Sequence, residues 1–163
     1  MSNYQIQDEA LDSFDFLNIK TFISSQNFPW FYSPFVADKE EVSNDFYFTH
    51  IAYENHKLNS SQDTWNVLTP LLKHIRPRAI IRIKINAYPN IGKHITHGEH
   101  TDYPFEHKGA LFSLNNCNGH TIIGDNKIDS KENRLLLFDS SKPHSSTSCT
   151  DAKMRWNINI NYL

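Results

Sequence analysis

Hydrophobic and polar positions follow helical spacing in the first part of the chain. Leu11, Phe14 and Leu17 are spaced like one face of a short helix. A second helix is predicted to begin near Asp63, and its apolar face would consist of Trp65, Leu68, Leu71, Leu72 and Ile75. Between these helices, "DFYFTHIAY" alternates well enough for a strand. We therefore expect a largely helical N-terminal part over about residues 1–76.

After Pro77 the hydrophobic pattern changes to a period of two, in short runs separated by turn sequences. Candidate strands cover residues 79–88, 108–115, 121–123, 134–139, 145–149 and 155–162. The turns are "PNIG", "NNCNG", "GDN" and "DSSKPH". Many short strands after helices predict a mainly β jelly roll with the helices packed on one sheet. No linker or repeat divides the 163 residues, so we expect a single domain with its jelly-roll core over about residues 77–163.

Two of the predicted strands have one apolar and one polar face. In "AIIRIKINAY" the polar face consists of Arg82, Lys84, Asn86 and Tyr88. In "RWNININ" it consists of Arg155, Asn157, Asn159 and Asn161. Such a face either lies in water or lines a wet interior cavity, and the alternation alone permits both arrangements.

Composition and charge exclude several classes of partner. Lysine and arginine number 16 against 18 acidic residues and form no basic block, which argues against long nucleic acid. Cys117 and Cys149 are too few for a disulfide framework and fit buried thiols in a reducing compartment. The first residues show no secretory signal, and no apolar run is as long as a membrane span. We expect a soluble cytoplasmic protein without a membrane partner.

The segment "HITHGEHTDYPFEH", residues 94–107, concentrates histidines and carboxylates. "HGE" places His97 and Glu99 on one face of an extended segment, and "HTD" places His100 and Asp102 on one face. The two pairs differ in parity, so in an extended segment only one pair can point into a given site. About one such tripeptide is expected by chance in a chain with 9 histidines and 18 acids, and each is weak evidence by itself.

A later histidine and an arginine strengthen the case for the second pair. His144, in "SSKPH", follows Asp102 by 42 residues, which leaves room for the intervening hairpins of a small jelly roll. Arg155 follows His144 by 11 residues, on the next predicted strand. The order of an HxD pair, a distal histidine and an arginine is more specific than any of its parts.

On these residues the chain resembles the 2-oxoglutarate and Fe(II)-dependent dioxygenase superfamily, and within it the small stand-alone enzymes similar to prolyl 4-hydroxylases. "RIKINAYP" before the motif and "SLNNCNGHT" after it are also similar, although Asn118 replaces the first glycine of the usual pair. The resemblance implies a double-stranded β-helix whose polar strand faces line a cavity. It also implies Fe(II), 2-oxoglutarate and O2 as cofactors, with hydroxylation of a small-molecule or peptide substrate, such as an amino-acid or prolyl side chain.

The resemblance assigns roles to particular residues. His100, Asp102 and His144 would bind the metal, which matches the two-histidine, one-carboxylate set of non-haem Fe(II) sites. Arg155 would bind the far carboxylate of 2-oxoglutarate through its guanidinium fork. The other candidate cosubstrate contacts are Asn157, Tyr88 and Asn86.

Other residues have two possible roles. The remaining histidines of interest and one acid are expected to be solvated loop residues: His94, His97, His107, His120 and Glu99. Asp139 either orients a metal ligand or forms a turn. In "FPWFYSPF", Trp30 and Tyr32 are either core residues or a wall over the mouth of the barrel.

Two other functions remain open at this point. A cupin-like metalloprotein that does not use 2-oxoglutarate would enlist more histidines from the first motif, His97 above all. A non-catalytic jelly-roll binding module would leave the histidines without a metal.

Overall fold

The computed structural model describes residues 4–36 and 45–163, which form two helices and eleven strands. In chain order these are β1 (Tyr4–Gln7), α1 (Ser13–Ile23), β2 (Phe31–Ser33), β3 (Tyr47–Glu54), β4 (Lys57–Leu58), α2 (Gln62–Ile75), β5 (Ile80–Pro89), β6 (Lys108–Ser113), β7 (Cys117–Ile123), β8 (Asn126–Ser130), β9 (Arg134–Asp139), β10 (His144–Ser146) and β11 (Met154–Tyr162). No helix within the described ranges is long and apolar enough to cross a membrane.

The strands form two antiparallel sheets. The larger sheet has the order β1-β9-β6-β11-β5-β3-β2, with β4 beside β3, and the smaller has the order β10-β7-β8. Arg155 on β11 of the larger sheet donates hydrogen bonds to Thr121 on β7 and Ser130 on β8, so the smaller sheet lies against the polar face of the larger. This pair of sheets confirms the predicted jelly roll.

The two helices pack on the other face of the larger sheet. In α1 the buried residues are Phe16, Ile19 and Ile23, and in α2 they include Leu68 and Leu71. These side chains join Ile83, Ile85, Ile158 and Ile160 of β5 and β11 in one hydrophobic core. The apolar faces of the two central strands are therefore covered by helices, as the sequence predicted.

The polar faces of β5 and β11 are buried rather than exposed to water. The buried side chains include Asn86, Asn157, Asn161 and Arg155. Of the two arrangements that the alternation permitted, the structure adopts the one in which this face lines an interior cavity.

The structure corrects several predicted elements. The helix predicted from Leu11, Phe14 and Leu17 exists, but Phe14 is 73% and Leu17 54% exposed. The buried face of α1 consists of Phe16, Ile19 and Ile23 instead. The N-terminal part also contributes β1, β2 and β4 to the larger sheet, besides the predicted strand β3. Strand β8 was not predicted, since "NKIDS" contains only one large apolar residue.

Candidate functional site

The segment after β5 runs antiparallel beside β10 and brings the predicted metal ligands together. Thr96 pairs with Thr147, and His100 pairs with His144 through two backbone hydrogen bonds of 2.9 and 3.0 Å. The backbone amide of Asp102 then bonds to the carbonyl of Ser140 at 3.3 Å. These contacts explain why residues 42 positions apart in sequence meet at one point.

His100, Asp102 and His144 each offer one ligand atom, and these atoms all lie within 4.8 Å of one another. The Nε2 atoms of both histidines are 3.9 Å from oxygens of Asp102. Asp102 and His144 are buried, whereas His100 is partly exposed. No other group of three histidine, cysteine or acidic side chains of this kind occurs among the described residues.

Each histidine of the triad is oriented by a backbone carbonyl. Nδ1 of His144 donates to the carbonyl of Lys142 at 2.9 Å, and Nδ1 of His100 donates to that of Gly98 at 3.2 Å. A carbonyl only accepts, so the proton lies on Nδ1 and the lone pair of Nε2 faces the site. Burial also lowers the pKa of His144, which favours the neutral imidazole that a metal requires.

Asp102 is surrounded by donors that fix its carboxylate. Arg82 bonds to Oδ1 at 2.9 Å, and Asn161 bonds to Oδ2 at 2.8 Å, as does the hydroxyl of Ser140. Burial alone would raise the pKa of Asp102, but the charge of Arg82 and the hydrogen bonds from Ser140 and Asn161 hold it well below its usual range. Asp102 is therefore ionised and available as an anionic ligand.

Sequence reasoning missed two of these orienting residues. Asn161 could have been found, because it shares a strand face with Arg155. Ser140 carries no such signal, since it lies in a turn whose geometry the sequence does not reveal. Of the two roles predicted for Asp139, the structure shows the turn: its carboxylate accepts a hydrogen bond from the backbone amide of Ser141 at 3.1 Å.

Arg155 is fully buried, with 1% of its surface exposed. Its guanidinium donates to the hydroxyls of Ser130 and Thr121 at 2.7 and 2.9 Å and to the carbonyl of Thr147 at 3.0 Å. Within the described part of the chain no carboxylate lies within 4.0 Å of it. A buried cation of this kind is costly without an anionic partner, so the arrangement suits a bound anion.

The other predicted cosubstrate contacts lie in the same cavity as Arg155. Tyr88, Asn86 and Asn157 line it together with His100 and His144. The Tyr88 ring lies 5.8 Å from the Arg155 guanidinium, and burial raises the pKa of Tyr88, so its hydroxyl remains a hydrogen-bond donor. The cavity measures about 50 Å³, smaller than ordinary ligand pockets, so its side chains must move to admit a five-carbon acid.

Two histidines expected in solvent are instead buried. His97 is 5% exposed, and its ring stacks on that of Tyr88 with the centroids 5.4 Å apart. Its Nδ1 atom forms a hydrogen bond of 2.8 Å with the hydroxyl of Ser146. His107 is equally buried, packed against the rings of Tyr103 and Phe105. The parity argument holds, because only the second pair joins His144, but the expectation that His97 is a solvated loop residue was wrong. The remaining residues of that group agree better with expectation: His94 and Glu99 are exposed, and His120 is partly exposed.

Trp30 and Tyr32 do not reach the cavity. Trp30 packs against Phe28 and the hydrophobic core, at a centroid distance of 5.0 Å. Tyr32 pairs with Phe48 across the strands, on the helix side of the sheet, and is 62% exposed. The register instead directs Phe31 to the cavity side of the sheet, opposite Thr49.

Solved structures share this architecture over nearly the whole chain. A prolyl hydroxylase from Trichoplax adhaerens, in complex with a hypoxia inducible factor oxygen degradation domain peptide fragment, has a TM-score of 0.69 at 17% identity, covering 99% of this chain and 83% of that one. A 2OG-Fe(II) oxygenase family oxidoreductase from Burkholderia pseudomallei has a TM-score of 0.71 at 12% identity, covering 98% and 84%. The viral collagen prolyl hydroxylase of Paramecium Bursaria Chlorella virus-1 has a TM-score of 0.64 at 12% identity, covering 99% and 97%.

No family model and no curated protein matches the sequence. The similarity is therefore one of fold. The chain has the double-stranded β-helix fold of the 2OG-Fe(II) oxygenases, in the compact form found in prolyl hydroxylases.

Proposed function

We propose that the protein is an Fe(II)- and 2-oxoglutarate-dependent dioxygenase. The observation that carries the proposal is the cavity lined by His100, His144 and Arg155, with Asp102 beside both histidines. Two imidazoles and one carboxylate are the donor set of non-haem Fe(II) oxygenases, and they leave metal positions open. The buried arginine supplies the fork that a dicarboxylic acid requires. Enzymatic activity is proposed on the same grounds.

In this proposal each group has a defined role. His100, Asp102 and His144 would hold Fe(II), while Arg155, with the hydroxyl of Thr121, would hold the far carboxylate of 2-oxoglutarate. When bound, Fe(II), 2-oxoglutarate and O2 supply an oxidative decarboxylation, to succinate and CO2, that is coupled to hydroxylation of the substrate.

The chain itself orients and shields these groups. Arg82, Ser140 and Asn161 fix the Asp102 carboxylate, so little reorganisation is needed when a metal binds. Leu111 and Phe138 close the cavity with apolar surface, which excludes water from the reaction. The similar fold of a prolyl hydroxylase in complex with a peptide fragment supports an amino-acid or peptidyl side chain, such as proline, as the first substrate class to test.

The proposal is tested by titrating the anaerobic apoprotein with Fe(II) and then with 2-oxoglutarate. A keto acid chelated to ferrous iron gives a weak visible charge-transfer band, and no substrate is needed to observe it. Asp102→Ala should abolish the band. Arg155→Lys, which keeps the charge but loses the guanidinium fork, should require at least about tenfold more 2-oxoglutarate.

The two competing functions give different results in this titration. A cupin-like metalloprotein would bind iron without the band and would lose the metal in His97→Ala. A binding module would not bind iron at all. The contacts of His97 argue against the cupin role, because its ring is stacked on Tyr88 and hydrogen-bonded to Ser146.

A further inference from the structure

The cavity contains buried acceptors for which the described residues supply no donor. Nδ2 of Asn86 donates to Oδ1 of Asn157 at 2.9 Å, which leaves Oδ1 of Asn86 without a partner among the described residues. Asn159 is in a similar position: its Nδ2 faces Asp102 Oδ2 at 3.4 Å. A carboxylate only accepts, so the amide nitrogen must face Asp102, and Asn159 Oδ1 is left unpartnered in the described structure.

Asn86 and Asn159 both line the cavity beside the metal ligands. Leaving a buried acceptor unsatisfied costs about 1–3 kcal/mol, so a ligand that supplies a donor here is favoured. 2-Oxoglutarate cannot supply one, because its two carboxylates and its keto oxygen only accept hydrogen bonds. In the absence of a ligand, water can donate to these oxygens, and a second molecule that carries a donor would take the place of that water.

A lysine on the same strand face has no acidic partner. Lys84 lies between Arg82 and Asn86 on the polar face of β5 and stands directly opposite Asn159 on β11. Its ammonium donates to the hydroxyl of Tyr47 at 2.5 Å and lies 4.9 Å from the centre of that ring. Among the described residues no carboxylate lies within 4.0 Å of it.

The neighbouring charged side chains have partners of their own, although Nε of Arg82 has none among the described residues. Arg82 is paired with Asp102 at 2.9 Å. Glu54, opposite Arg82 on β3, interacts with the hydroxyl of Tyr103 at 3.5 Å. Among the described cations on this face, Arg155 is proposed to bind 2-oxoglutarate and Arg82 is paired, so Lys84 is the one left to bind a second anion.

Lys84, Asn86 and Asn159 occupy neighbouring positions on one face of strands β5 and β11. Side chains directly opposite each other on antiparallel strands have Cβ atoms about 5 Å apart, so a single small molecule can contact both Lys84 and Asn159. It must carry an anionic group for the lysine and, next to it, a nitrogen or oxygen donor for the asparagine oxygens. A free α-amino acid carries a carboxylate and an ammonium group on one carbon.

We propose that the substrate is a free α-amino acid, whose carboxylate binds Lys84 and whose ammonium binds the amide oxygens of Asn86 and Asn159. This inference rests on the proposed dioxygenase function and narrows its substrate class. A residue within a peptide chain has neither a free carboxylate nor a free ammonium group at its α-carbon, so peptidyl substrates are disfavoured.

The test measures succinate formation by the Fe(II)-loaded protein with 2-oxoglutarate, O2 and each of the free L-amino acids. At least one should raise the rate above the substrate-free rate. The α-amide and the N-acetyl derivative of that amino acid should each lower kcat/KM by about tenfold or more, because each removes one charged contact. Binding of the same amino acid to the anaerobic Fe(II)–2-oxoglutarate protein is measured by calorimetry, as a readout that is independent of turnover.

Variants connect this recognition to the named residues. Lys84→Met should weaken calorimetric binding of the free acid by about tenfold or more and should largely erase the difference between the acid and its amide. Lys127→Met, at an exposed position on β8, is the matched control and should bind like the wild type.

The charge-transfer band distinguishes the two possible failures. If the wild type shows no band, the proposed function itself fails. If the band forms but no free amino acid binds, or if amides and peptides act as well as the free acids, the dioxygenase proposal stands and this inference is overturned. Unchanged discrimination in Lys84→Met would overturn it as well.

Discussion

The position of Arg155 depends on Gly119, which has no side chain to block it. A Cβ atom added at Gly119 would lie 2.7 Å from Cδ of Arg155 and 2.9 Å from the carbonyl oxygen of Ser148. The glycine in "NNCNGHT" therefore allows the arginine stem to cross β7 closely. The segment predicted as a turn is part of strand β7 at this point, and it keeps the glycine that this contact requires.

We predict that Gly119→Ala weakens 2-oxoglutarate binding while leaving metal binding in place. The added methyl group displaces the stem of Arg155, and a guanidinium moved by about 1 Å loses much of its hydrogen-bond geometry. The half-saturating concentration of 2-oxoglutarate should rise by about tenfold, as measured with the charge-transfer band.

Gly124→Ala is the control for this substitution. Gly124 has a φ of +55° and no atom near its added Cβ, so alanine there should cost about 1 kcal/mol of stability without changing the band. Equal effects of the two substitutions on 2-oxoglutarate binding would contradict a specific role for Gly119.

His97 makes stability depend on pH. Burial, with the charges of Arg155 and His100, lowers the pKa of His97 to about 4 from its ordinary value of 6.5. Between these values the unfolded chain binds a proton at this position and the folded chain does not, so stability falls as the pH decreases from 6.5 to 4. The loss from this group alone is on the order of 3 kcal/mol.

We predict that His97→Gln flattens the pH dependence of unfolding in this range, as measured by urea denaturation of the apoprotein at a series of pH values. Burial also lowers the pKa of His50 and of His144, so a shallower slope should remain. If the variant and the wild type lost stability in parallel, His97 would not be the neutral buried group that the structure describes.

At the residue scale the convergence of the candidate metal ligands could be predicted because their order along the chain is distinctive. His100, Asp102, His144 and Arg155 all lie where that order expected them, in one cavity or beside it. The burial of His97 could not be predicted, because it depends on a stack with Tyr88 and on an irregular backbone. Side-chain type and spacing do not encode either of these.

At the scale of elements, hydrogen bonds from Asn133 connect the segment before α1 to the β core. Asn133, just before β9, donates through Nδ2 to the carbonyl of Leu11 at 2.7 Å, and its Oδ1 accepts from the amide of Leu11 at 3.0 Å. Its own carbonyl accepts from Ala10 at 3.0 Å. These bonds are buried and position the start of α1, whose N-cap is Asp12.

We predict that Asn133→Gly costs about 2 kcal/mol of unfolding free energy, because two hydrogen bonds to buried backbone groups are lost. Asn133→Ala should cost about 1 kcal/mol more, since Asn133 has a φ of 57°, which alanine tolerates poorly. Chemical denaturation measures both values, and Asn126→Ala, at the exposed first residue of β8, should fall within about 0.5 kcal/mol of the wild type. A smaller loss in the alanine variant than in the glycine variant would contradict the backbone argument.

The elements that the sequence predicted well are those whose alternation is sustained. Strands β5 and β11 are long and lie between other strands, so every second residue had to be apolar to meet the helices. Strands β1 and β8 are short, and they alternate weakly. The apolar face of α1 was assigned to the wrong residues because its helix also contains exposed aromatic and aliphatic side chains.

At the scale of the whole molecule, ligand binding should be visible as added stability. The triad joins residues 100 and 102 to residue 144, and Arg155 joins β11 to the smaller sheet, so bound ligands would link both sheets. At 100 times the dissociation constant a ligand that binds only the folded state adds about 2.7 kcal/mol.

We predict that anaerobic Fe(II) with 2-oxoglutarate raises the thermal unfolding midpoint by several degrees, about the shift expected of this stabilisation in a chain of this size. A chelator should reverse the shift, and Asp102→Ala should not show it. Calorimetry or fluorescence-detected melting measures the midpoint. Equal shifts in the wild type and in Asp102→Ala would indicate that the metal binds elsewhere.

Strand β11 fixes the spacing between side chains of the candidate site. Arg155 stands near one end and Asn161 near the other, roughly 20 Å apart at the rise of an extended chain, and both point to the same side. The distance from Arg155 to Asn161, which donates to the Asp102 carboxylate, is thus set by the rise of the strand rather than by any loop. Insertion or deletion of a single residue within β11 would turn its polar side chains towards the helices and its isoleucines towards the cavity. Insertions and deletions that preserve the candidate site are therefore confined to the turns. Natural relatives should differ in the lengths of their turns while β11 keeps one length.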